Sequence, residues 1–154
     1  MHLLAFDPDR TRRGWAHLGG KATPGESPKQ TAAREFHEES NCVYNVETPK
    51  DLPLEGPSKS PISDFRTYSV QIPYVPAAVL AMKRYCRHRE RRQWVWILDS
   101  DFVGALDSPE ASESTRVYDG EVATINFWEG SRLALKQARK DGLLPEPTVC
   151  KERQ

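Results

Sequence analysis

The sequence predicts an α/β fold. Along its 154 residues two kinds of signal are interspersed: short apolar, strand-like runs at 2–6, 65–75 and 94–98, and two segments with helix-start and helix-stop chemistry, at 27–41 and near 124–142. The length suits a single domain with one core. With 38% hydrophobic and 29% charged residues and twelve prolines, the chain reads as globular and rich in loops rather than disordered.

His2-Leu3-Leu4-Ala5-Phe6 reads as a short buried strand ended by Asp7-Pro8-Asp9, with Arg10 to Gly14 a polar turn. Trp15-Ala16-His17-Leu18 leads into a loop bracketed by Gly19, Gly20 and Gly25. Ser27-Pro28-Lys29-Gln30 opens a helix: Ser as N-cap, Pro where a missing N–H costs nothing, and Gln three residues on to complete a capping box. The helix runs to Glu39, and Asn41 tolerates the left-handed conformation that ends it. Residues 45–64 hold four prolines and little periodicity, which reads as a loop. Phe65 to Val75 alternates like a strand, and Pro73 marks an edge or an end.

After Pro76 the stretch AAVLAMKRYCRHRERRQ reads as a helix that turns basic. Trp94 to Leu98 is a buried strand, in which Trp94 and Trp96 suit a core better than a base-stacking platform. A short loop and apolar turn follow, then an acidic, Ser-rich loop over 107–121. Asn126 or Thr124 caps a last helix with Phe127, Ala134, Leu135 and Ala138 on one face and Lys136, Arg139 and Lys140 at its negative end. Gly142 and Pro145 stop it, so the domain is expected over 1–144 and a loose tail over 145–154.

Lys+Arg and Asp+Glu both number 22, so a general nucleic-acid coat finds no support and anion binding must come from local clusters. Lys83, Arg84, Arg87, Arg89, Arg91 and Arg92 form one, six cations in ten residues around Glu90. Arg forks match phosphate oxygens bidentately, which makes Arg87, Arg89 and Arg91 candidate substrate-binding residues. Three cysteines, Cys42, Cys86 and Cys150, are odd in number, widely spaced and unlike any zinc pattern, so a reduced, cytoplasmic compartment is expected. The apolar run at 2–6 is too short for a membrane span.

The chemistry concentrates on the first helix. Glu35, Glu38 and Glu39 stand at i, i+3 and i+4, so three like charges share one face. That is stable if the face is fully solvated or if a cation neutralises it. Upstream, Gly20 is followed after five residues by Glu26, and Glu26 after seven by Arg34-Glu35. Six specified identities at fixed spacing arise by chance on the order of once in ten million start positions.

This layout, GGKATPGESPKQTAAREFHEESNCV, resembles the Nudix box, with Asn41 where the family has Gly, and Phe36 and Cys42 where it prefers bulky aliphatics. The likeness is close over Gly19 to Val43 and looser over 1–106. The resemblance implies an α/β/α sandwich around a small mixed sheet; the family's usual first strand would precede residues 2–6, so either the product is truncated, another strand substitutes, or a partner supplies the edge. It also implies hydrolysis of a phosphoanhydride bond in a nucleoside diphosphate linked to another group, aided by Mg²⁺ or Mn²⁺. Glu35, Glu38, Glu39 and the Gly20 carbonyl would hold metal, Glu26 and Arg34 would pair to fix the loop on the helix, and Glu38 or Glu90 would be the general base. Expected partners are a nucleotide or polyphosphate substrate, with capped RNA among those to test, and a homodimer is compatible with the fold. Two other readings stay open: a catalytically silent Nudix module that binds nucleotide, RNA or protein, and a non-catalytic RNA binder using the basic run.

Overall fold

The structure, a computed structural model, describes residues 1–8, 14–19, 23–45, 53–82, 86 and 93–145. Its centre is a three-stranded antiparallel sheet of β1 (His2–Asp7), β2 (Gly14–Ala16) and β5 (Trp94–Ile97), in the order β2-β1-β5. Leu3 faces Trp96 across one ladder and Phe6 faces Trp15 across the other, so β1 is the middle strand. Among the described residues the mixed character expected of the sheet comes down to one parallel bridge, Trp15 to Phe127. There the Trp15 N–H donates to the Asn126 carbonyl at 3.2 Å and the Trp128 N–H to the Trp15 carbonyl at 2.9 Å.

Successive β1 side chains alternate between faces, and each face has its own cluster. Leu4, Val95 and Ile97 pack with Phe102, Leu106, Ile125 and Leu135, while Ala5 and Trp94 pack with Tyr44 and Leu80. The first cluster is closed by α3 (Asp99–Asp107) and α5 (Glu129–Lys140), the second by the region of α1 (Pro28–Glu39) and α2 (Ala77–Met82). Trp94 and Trp96, 4% and 3% exposed, are core residues. Among the described residues no helix is long and apolar enough to cross a membrane.

Several expectations are corrected. Within 45–64 lies β3 (Glu55–Lys59), paired antiparallel with β4 (Arg66–Ser69), which is all that forms of the strand expected over 65–75. Past Ser69 the chain leaves the ladder: Ile72 and Val75 turn into the second cluster, and the Val75 carbonyl accepts the Trp96 indole N–H at 2.8 Å. The turn expected after Leu98 is α3, and the loop at 107–121 contains α4 (Pro109–Ser112) and β6 (Thr115–Arg116). β6 pairs with β7 (Thr124–Ile125). Thr124 is therefore in a strand and Asn126 in the Trp15 bridge, so α5 starts later, after Trp128 and without a side-chain cap.

The cysteine expectation also fails. Cys42 and Cys86 form a disulfide with Cα atoms 5.3 Å apart. Connectivity is not encoded in spacing, so the odd count concealed a pair, and the cysteines cannot be used to argue a reduced compartment. A cross-link spanning 44 residues stabilises the fold by about 4 kcal/mol in the chain-entropy account.

Candidate active site

The site is built on α1. At its start the Gln30 N–H donates to Ser27 Oγ at 3.2 Å and the Ser27 N–H to Gln30 Oε1 at 2.9 Å, the full capping box. At its end the Asn41 N–H bonds the Glu38 carbonyl and the Cys42 N–H the His37 carbonyl, with φ of 56° and 61°. This is a Schellman motif with Asn in the usual glycine place. Both ends are thus fixed, and with them the azimuth of the acidic face.

Arg34 organises that face. Its Nε and Nη2 grip Glu26 at 2.8 and 3.1 Å, and its Nη1 reaches Glu35 at 3.0 Å and Glu38 at 3.2 Å. Glu26 Oε1 also accepts the Thr23 N–H at 2.8 Å, so the arginine ties the preceding loop to the helix. Bonding to Arg34 first, and to Thr23 second, holds the Glu26 carboxyl down to about 2, and the same bonding raises Arg34 above its ordinary value.

Glu39 follows a different course. It is 1% exposed, its Oε2 accepts the Gly19 N–H at 2.7 Å, and its backbone carbonyl takes the Trp94 indole N–H at 2.8 Å. Glu35 is 7% exposed. The triad is therefore mostly buried, and the two solutions offered by the sequence, full solvation or a metal, are joined by a third: an arginine of the same helix facing two of the acids and a backbone N–H facing the last.

By type the donors fit a hard divalent cation, since carboxylate oxygens are what Mg²⁺ and Mn²⁺ take. Among the described residues no three acidic, histidine or cysteine side chains converge into a cation site; Arg34 draws Glu35 and Glu38 together while Glu39 bonds Gly19. Gly20, Arg87, Arg89, Glu90 and Arg91, with the rest of the basic run, lie outside the described residues.

The family model of the NUDIX domain matches residues 3–113, which spans the acidic helix, the sheet and α3. The chain belongs to the Nudix family. No curated protein and no solved structure gives a significant match. Nudix domains in general hydrolyse nucleoside diphosphate derivatives and use divalent metals.

Beside the Nudix helix, and reaching Gly19, opens a cavity of about 1110 Å³ whose walls include Leu18, Thr31, Phe36, Tyr68 and Trp96. On the same wall is a residue that the sequence did not single out. His17 faces the Ser131 hydroxyl through Nδ1 and the Thr67 hydroxyl, at 3.5 Å, through Nε2, with Phe65 edge-on at 5.3 Å. Its own N–H donates to Ser131 Oγ at 3.1 Å, tying the chain just before the glycine loop to α5, which lies beyond the matched Nudix segment. A lone His two residues before Gly19 was the only available signal.

Burial pushes the His17 imidazole down from 6.5 to about 4. The unfolded chain takes up this proton near pH 6.5 and the folded one only near pH 4, so stability is full above 6.5 and falls as pH drops between the two. The expected loss is about 3 kcal/mol for this group. Urea midpoints from neutral pH to about pH 4 should show it, and His17→Gln should reduce the slope, leaving the part due to His2, whose imidazole burial lowers in the same way.

Proposed function

We propose that the protein is a divalent-metal-dependent pyrophosphohydrolase acting on a nucleotide or polyphosphate substrate. One observation supports this most directly: three carboxylates on one helix face, two of them buried, beside a large cavity. In this reading Glu35, Glu38 and Glu39, with the Gly20 carbonyl, hold the metal. Bound there, Mg²⁺ or Mn²⁺ supplies charge neutralisation at the phosphates and a more acidic water. Glu26 and Arg34 position the loop, and Glu38 or Glu90 takes the proton from water. The cavity, walled by Leu18, Phe36, Tyr68 and Trp96, has the size and apolar lining that ligands use, and receives the non-phosphate part of the substrate. The working domain is 1–144, with 145–154 a tail.

The test is a screen of nucleoside triphosphates, dinucleoside polyphosphates, ADP-ribose, nucleotide sugars and capped RNA with Mg²⁺ and Mn²⁺. The expected result is metal-dependent cleavage of a phosphoanhydride bond in at least one class. Binding without turnover across all of them would favour the silent module instead. Salt-sensitive RNA affinity that survives loss of Glu39 would favour the RNA binder.

The basic run should set affinity rather than the chemical step, because contacts made equally in ground and transition states change KM and leave kcat alone. Replacing Arg87, Arg89 and Arg91 with Gln is expected to raise KM roughly tenfold, more for substrates with more phosphates, and to flatten its salt dependence. An unchanged KM for every substrate would remove these arginines from the site.

A further inference from the structure

The last turn of α1 is held from one side by a cluster of ties to the segment 77–94. The Glu39 carbonyl accepts the Trp94 indole N–H at 2.8 Å, Asn41 Nδ2 donates to the Leu80 carbonyl at 2.8 Å, and Cys86 Sγ lies 3.8 Å from the Glu38 carbonyl oxygen. The covalent member of the cluster is the Cys42–Cys86 disulfide, anchored where the Cys42 N–H closes the helix on the His37 carbonyl at 2.8 Å. Every one of these ties meets the turn that carries Glu38 and Glu39.

We propose that Cys42 and Cys86 are a redox-sensitive positioning pair: oxidised, they lock the turn bearing Glu38 and Glu39, and thiol–disulfide exchange releases it. The catalytic consequence rests on the hydrolase reading above; the release itself does not.

One feature sets this bond apart from an inert cross-link. Access is asymmetric, with Cys42 part-exposed and Cys86 buried at 5% exposure, so an incoming thiolate meets the Cys42 sulfur and Cys86 is the leaving group. The exchange needs a dithiol reductant. Its first thiolate attacks Cys42 Sγ, the sulfur–sulfur bond breaks, and Cys86 leaves as a thiolate that takes a proton. The reductant's second thiol then attacks the mixed disulfide, frees Cys42 as a thiol and closes the reductant's own disulfide. Two electrons pass from the dithiol to the protein.

The experiment uses the full chain carrying Cys150→Ser, which prevents reshuffling, compared oxidised and after dithiothreitol, well below the melting midpoint. Hydrogen exchange of the Trp94 indole N–H reads the turn directly, because that group is bonded to the Glu39 carbonyl. It should quicken by about tenfold or more on reduction. For the best substrate from the screen, kcat should fall about tenfold with KM little changed, since the displaced groups act on the reacting bond. Reoxidation should restore both, and Cys42→Ser should show the reduced values and no response to dithiothreitol.

Equal indole exchange and equal kcat in the two redox states would overturn the proposal and leave the bond a staple. So would a bond that dithiothreitol opens only in denaturant. An indole response without hydrolysis in either state would support the release of the turn while refuting the hydrolase reading.

Discussion

Glu39→Gln is expected to lower turnover by at least about a thousandfold, since it deletes one charge from the donors assigned to the metal. Its fold should survive. Glutamine keeps an oxygen for the Gly19 N–H, bonded at 2.7 Å in the parent chain, and changes volume little. Because Glu39 is 1% exposed and stands on one face with Glu35 and Glu38, replacing a buried carboxylate with a neutral amide removes desolvation and repulsion. The melting midpoint without metal should therefore be equal or slightly higher. Steady-state hydrolysis with Mg²⁺, alongside thermal unfolding in a chelator, separates the effects. Hydrolysis close to that of the parent would remove Glu39 from the metal assignment.

Arg34→Ala should damage both activity and stability. One guanidinium faces Glu26, Glu35 and Glu38 at 2.8–3.2 Å, and its loss leaves three neighbouring carboxylates without that partner. A melting midpoint lower by roughly 5 °C or more is expected, together with at least about a tenfold loss of kcat as the loop before α1 is released from the helix. Arg34→Lys should recover only part of either, because an ammonium cannot grip Glu26 with two parallel bonds while reaching the others. A midpoint equal to the parent's would mean that water replaces the arginine without cost.

The parts of this molecule governed by neighbours in sequence were legible. Ser27, Pro28 and Gln30 fix where α1 begins, and Asn41 where it ends, because caps are chemistry over three or four residues. Gly142 ends α5 in the same manner, with φ of 77° and the Leu143 N–H on the Ala138 carbonyl. The family resemblance also rested on residues close in sequence, Gly20 and Glu26 in the loop and Arg34, Glu35, Glu38 and Glu39 on α1. What escaped was set by distant partners. Gly56 and Pro57 argue against a strand, yet Glu55–Lys59 pairs with Arg66–Ser69 because the register with β4 satisfies its backbone. Asn126 looks like a cap until the Trp15 N–H claims its carbonyl. The carboxylate triad was legible as a cluster but not as a buried one, since burial depends on Gly19 and Trp94 arriving from elsewhere.

The β3–β4 hairpin belongs to no ladder of the central sheet. It is held instead through side chains, by Ser58 donating to Asp141 at 2.6 Å near the end of α5 and by Thr67 facing His17. It supplies Phe65 to Ser69 to one cavity wall while α1 and the sheet supply others. Under the proposed function, the helix that would cleave the bond and the wall that would fit the ligand are thereby carried by different elements. Lengthening the 60–65 turn or exchanging residues along Arg66–Ser69 reshapes the cavity without disturbing a single backbone bond of β1, β2, β5 or α1. Under the proposed function, divergence in ligand fit is expected along the hairpin while the glutamate-bearing helix stays constant.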